Sequence, residues 1–88
     1  MCFNDEVALR VYSACSAAGI RIPADLAVTG YDDLPAATLS HPRLTTLKLP
    51  VYYVAQLAGR WLKNIIRDRD TPPISLEITG ELIIGGST

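Results

Sequence analysis

The sequence predicts an α/β fold with a mostly parallel sheet and flanking helices, and three observations carry that reading. Two long segments repeat apolar residues at helical spacing. Between them lies a short apolar run without alternation, Leu26-Ala27-Val28-Thr29-Gly30, the pattern of a strand covered on both faces. Helical and extended segments then alternate along the chain, which favours crossovers between parallel strands.

The first helix is expected from about Asp5 to Ala18. Asn4 is a good N-cap, Asp5 and Glu6 put negative charge where the helix dipole favours it, and Gly19 supplies a left-handed stop. Val7, Ala8, Val11, Tyr12, Cys15 and Ala18 form its apolar stripe. Residues 20–25 make a connection punctuated by Pro23, and the strand Leu26–Gly30 follows, ending in Tyr31-Asp32-Asp33. Leu34 to Arg43 reads as a loop with at most one helical turn. Leu44 to Lys48 suits a strand, given its β-branched pair.

Pro50 opens a second helix, in which Val51, Val54, Ala55, Ala58, Trp61, Leu62, Ile65 and Ile66 keep the helical rule over four turns. Trp61, on that stripe, is expected to be core. Asp68 to Pro73 stops the helix. Ile74, Leu76 and Ile78 alternate with polar residues as in a half-buried strand, and Leu82-Ile83-Ile84 read as a further short strand. The stub Met1–Phe3 resembles the tail of a strand, so the chain reads as a fragment of a larger domain.

Composition narrows function. The 88 residues carry eight Lys plus Arg against nine Asp plus Glu, a balance that disfavours nucleic-acid binding by this stretch. At 49% hydrophobic and 19% charged the chain is no disordered segment. No apolar run approaches the ~20 residues that span a bilayer, and the expected location is the cytoplasm. Two cysteines, Cys2 and Cys15, are too few for a disulfide scaffold and have no partners at zinc-ligand spacing; Cys15 reads as a small buried hydrophobe.

In open α/β sheets ligands bind at the C-terminal ends of parallel strands, and two polar groups fall there: Asn4 after the stub and Asp32 after the strand at residues 26–30. An amide that donates and accepts, beside a carboxylate that accepts, suits sugar hydroxyls or base edges. Each residue also has a plainer reading, as a helix cap and as a turn former. The Asp32-Asp33 pair brings Mg²⁺-dependent phosphoryl transfer to mind, but the sequence has neither GxxxxGK[ST] nor GxGxxG. His41 stands alone in a loop, and no GxSxG nucleophile elbow is present. An enzyme is not expected, nor a metal or cofactor.

Four segments in order and register add a resemblance: Phe3-Asn4-Asp5-Glu6-Val7-Ala8-Leu9, Ala18-Gly19-Ile20-Arg21-Ile22-Pro23-Ala24-Asp25, Val28-Thr29-Gly30-Tyr31-Asp32-Asp33 and Pro42-Arg43-Leu44-Thr45-Thr46-Leu47. Together they resemble the C-terminal part of the LacI/GalR family of bacterial transcriptional repressors, from about residue 3 to the end. The resemblance implies a partial periplasmic-binding-protein-like lobe. Residues 1–88 would form the C-terminal segment of an effector-binding and dimerisation domain, with the DNA-binding domain and N-terminal lobe absent. It further implies a small-molecule effector of sugar or nucleobase class contacted by Asn4 and Asp32. Homodimerisation would run through Leu9 and the Leu34–Arg43 loop with Leu39 as its anchor, and operator DNA would be bound only through the absent N-terminal domain. Many members place a polar Gln where this chain has Leu49 before Pro50. A fragment of a periplasmic sugar-binding protein of the same fold is the rival reading.

Overall fold

The computed structural model describes residues 1–88, which form two compact units: Met1–Leu49 with Gly80–Thr88, and Pro50–Thr79. The first unit contains α1 (Asp5–Ala18), α2 (Pro35–Leu39), β1 (Thr46–Lys48) and β2 (Glu81–Ile83). The second contains α3 (Val51–Arg67).

Helix α1 forms with the expected bounds because both ends are chemically specified. The Asn4 side chain accepts the Val7 N–H at 2.9 Å, and Gly19, at φ 69°, turns left-handed to close the C-terminus. Beyond it Arg21 clasps Asp25 with two side-chain hydrogen bonds of 2.7 Å. The guanidinium, aided by the Arg21 backbone N–H, holds the Asp25 carboxyl below the ordinary aspartate range. The single turn anticipated after Asp33 is α2, which packs against α1.

Outside the two-stranded sheet of β1 and β2, backbone hydrogen bonds show parallel pairing. Cys2 and Asp5 donate to Thr29 and Tyr31 at 2.8 and 2.9 Å, while Gly30 and Asp32 donate to Thr45 and Leu47 at 2.9 Å each. Each pair advances the same way along both segments, so the stub, residues 28–32 and residues 45–48 run parallel. Thr29 and Thr45 form a parallel bridge. β2 then pairs antiparallel with β1, with Thr46 opposite Ile83.

Two expected strands do not form regular ladders. Residues 28–30 make backbone hydrogen bonds but only that isolated bridge, and Leu26 is 42% exposed, so burial holds for Val28 and Gly30 but not for the start of the run. Residues 74–79 form no regular element, and alternation alone does not make a strand when no neighbour accepts its backbone. The α3 stripe is likewise not core. No residue of α3 is buried; Leu57, Trp61 and Ile65 are half-buried, and the Trp61 indole N–H donates to the Pro72 carbonyl at 3.0 Å.

The core of the first unit is small: Ala8, Val28, Ala37 and Leu44, with Cys2, Val11, Tyr12 and Ile22 packed around it. Cys15 is buried, as its place on the α1 stripe implies. The C-terminal residues lock onto this core. The buried Ser87 hydroxyl accepts the Thr45 N–H at 2.8 Å and donates to the Val28 carbonyl at 2.6 Å, while the Thr45 and Thr88 hydroxyls lie 2.9 Å apart. Gly85 passes so close to the Arg43 backbone that a Cβ there would overlap its carbonyl.

Candidate functional site

The structure brings Asn4 and Asp32 together. Both line one concavity of about 320 Å³, with Phe3 and Tyr31 as its other walls. Two different segments supply the polar groups, the stub-to-α1 turn and the turn that follows residues 28–30, and their parallel pairing sets the two turns side by side.

Asn4 has two roles at once. Its Oδ1 caps α1, which fixes the side chain, while its amide nitrogen makes no hydrogen bond within the chain. Asp32 is exposed and its carboxylate has no partner within the chain. Its backbone sits at φ 111°, followed by Asp33 at φ 54°. Such conformations in non-glycine residues cost of order 1–3 kcal/mol each and persist only where neighbours over-determine them. Here the Asp32 N–H donates to Leu47, and the Asp33 N–H to the Thr46 hydroxyl at 3.3 Å.

The two adjacent aspartates are not equivalent. The Asp33 side chain is 19% exposed and lies 4.0 Å from the Lys48 ammonium, whereas Asp32 remains unpaired at the concavity. They therefore do not converge as a pair. His41 is in a separate shallow concavity with Tyr12, Cys15 and Arg21. Leu49 packs beside Gly80, whose Cβ would come within 3.0 Å of Leu49 Cδ2, and does not line the Asn4–Asp32 concavity. Of the expected interface residues, Leu39 is 77% exposed and Leu9 is half-buried.

Next to Asn4 in the chain is a residue that sequence reading assigned only to the helix dipole. Asp5 is fully buried. Its Oδ1 accepts the Thr46 hydroxyl at 2.6 Å and its Oδ2 accepts the Leu34 N–H at 2.8 Å. The one sequence signal that bears on it is the pair of threonines at the head of β1, whose hydroxyls need partners once buried.

An amide donor and a free carboxylate stand beside exposed aromatic surface at this concavity. The carboxylate accepts from hydroxyls, and the Phe3 and Tyr31 rings offer apolar faces. Comparison with known proteins agrees with that architecture. A periplasmic binding protein-like domain model matches residues 1–88. The HTH-type transcriptional regulator YvdE of Bacillus subtilis is 36% identical over 88 residues, which is 100% of this chain and 28% of that protein. Among solved structures, the transcriptional regulator CelR–cellobiose complex superposes with a TM-score of 0.89 at 29% identity, covering 98% of this chain and 26% of that one. A LacI family transcriptional regulator from Enterococcus faecium with bound ribose gives a TM-score of 0.85 at 27% identity, covering 98% and 32%.

The molecule is thus a periplasmic-binding-protein-like α/β lobe. The chain belongs to that family, on the side of the LacI-type transcriptional regulators. It spans about a quarter of the length of the curated relatives it matches. Those relatives are transcriptional regulators and repressors rather than enzymes. No helix of the chain is long and apolar enough to cross a membrane.

Proposed function

We propose that residues 1–88 act as the C-terminal segment of a LacI-type effector-binding domain and supply one wall of its ligand cleft. The observation that carries this reading is the convergence of Asn4 and Asp32, from separate segments, on one aromatic-lined concavity. A sugar is favoured over a nucleobase, because ribose, lactose and cellobiose occupy the related regulators, and an unpaired carboxylate can accept from sugar hydroxyls. Ligand held here and by a second lobe would favour one orientation of the lobes and so shift operator affinity, with DNA contacted elsewhere in the regulator. The role is non-enzymatic and belongs in the cytoplasm. Relatives named as regulators weigh against a periplasmic sugar-binding protein.

One wall offers few contacts, so binding of ribose or cellobiose by this chain is expected to be weak, on the order of millimolar. NMR titration should shift the Asn4 side-chain amide and the Tyr31 and Asp32 backbone amides. Asp32→Asn keeps the shape and tolerates positive φ, yet loses a charged acceptor, and should weaken binding about tenfold or more. Shifts elsewhere, or an unchanged affinity in Asp32→Asn, would sink the assignment.

The reading includes a two-fold dimer through Leu9 of α1 and Leu39 at the end of α2. Leu39 is 77% exposed, so Leu39→Asp should leave the fold intact. Sedimentation is expected to show a lower dimer fraction; an undiminished dimer would exclude this surface.

A further inference from the structure

We propose that Asp5 is a positioning residue, whose buried carboxylate holds the turn at residues 31–34 in the shape that presents Asp32 to ligand. The proposal rests on the effector-site reading above and adds a residue to it.

Asp5 grips both ends of the turn. Its backbone N–H donates to the Tyr31 carbonyl at 2.9 Å, where the turn begins. Its Oδ2 accepts the Leu34 N–H at 2.8 Å, where the turn ends. The middle is reached through one intermediary: the Thr46 hydroxyl donates to Asp5 Oδ1 at 2.6 Å and accepts the Asp33 N–H at 3.3 Å. Between the gripped ends lie the two residues with positive φ, Asp32 and Asp33. An unsupported chain would relax toward ordinary backbone angles and carry the Asp32 carboxylate away from Asn4.

The choice of side chain supports the assignment. A buried carboxylate incurs a desolvation penalty that an apolar residue in the same place would avoid. What it provides is geometry: two acceptors in one plane, one for β1 and one for the turn. Asp5 is fully buried, so ligand does not touch it and its influence passes through the backbone. Its location right after Asn4 ties both polar ligand groups to the same helix start.

The test compares the 88-residue chain with Asp5→Ala and Asp5→Asn by amide hydrogen exchange, the Asp32 HN–Hα coupling, urea unfolding and ribose titration. Asparagine can still accept from Leu34 while its NH₂ faces the Thr46 oxygen; alanine loses both bonds. The Asp32 amide is the informative probe, since its own partner is Leu47 and not Asp5. In Asp5→Ala its exchange is expected to rise about tenfold more than that of α1 and β1 amides, the coupling to move toward negative φ, and the ribose shift to vanish. Asp5→Asn should recover most of all three. If Asp5→Ala does not fold, Thr46→Val replaces it and should speed Asp33 exchange selectively. Exchange that rises uniformly with the loss of global stability, or Asp33 exchange unmoved by Thr46→Val, overturns the proposal. A turn that loosens as expected in a chain whose parent responds to neither ribose nor cellobiose supports the positioning role and refutes the effector site instead.

Discussion

Gly30→Ala is expected to lower the stability of the chain by about 3 kcal/mol or more. The approach of Asp5 to the strand leaves no room at this position. An added Cβ would overlap Asp5 Oδ1 and lie 2.8 Å from Leu44 Cδ2 and 3.2 Å from Asp5 Cα. Overpacking a filled core costs typically 1–3 kcal/mol, and displacing the Asp5 carboxylate adds about 1–3 kcal/mol for buried hydrogen-bond partners left unpaired. A chain of this size has only about 4–13 kcal/mol to lose. Gly59, inside α3 with open space around its missing Cβ, is the control: alanine there should gain up to about 1 kcal/mol of helix propensity. Urea unfolding reads both. Equal midpoints for Gly30→Ala and the parent chain would mean that Asp5 does not sit against the strand, and the positioning role would fall with it.

Much of this architecture was legible in the sequence wherever the signal was local. The bounds of α1 follow from Asn4 and Gly19, each acting within one turn of itself, and α3 follows from an apolar period kept over four turns. Asn4 and Asp32 were singled out because strand ends are where α/β sheets place ligands, and both line one concavity. Failures came where a partner decides. Leu26-Ala27 have the composition of a strand but lack neighbours that would complete a ladder, and the same holds for residues 74–79. The α3 stripe announces a surface to be covered, yet periodicity does not say that anything within the chain covers it; Leu62 and Ile66 remain 55% and 76% exposed. Asp5 is the instructive miss. At the first helical position an aspartate satisfies the dipole and asks for no further explanation, whereas its actual partner, Thr46, is 41 residues away. Long-range polar pairing of this kind leaves no periodic trace.

Leu44→Ala should cost about 2–5 kcal/mol, the range for deleting a buried leucine, with the upper part favoured by the composition of the core around it. Leu44 is fully buried, and its fully or nearly buried neighbours Ala8, Ala37 and Val28 are all small. Two of them are alanines on separate helices, with few atoms to move into the vacated space, so much of the cavity is expected to stay open. The loss should also reach the site. Leu44 Cδ2 would lie against any Cβ at Gly30, and residue 44 leads directly into Thr45 and Thr46, which hold Ser87 and Asp5. Thermal unfolding of Leu44→Ala beside Leu62→Ala, whose side chain in α3 is 55% exposed, separates a fully buried position from an exposed apolar one. The Leu62 substitution should cost less than about 1 kcal/mol. Similar losses at both sites would show that Leu62 contributes as much as a fully buried leucine. A loss confined to Leu44 would mean that one side chain sustains the packing behind the Asp5–Thr46 contact, and with it the geometry of the turn that carries Asp32.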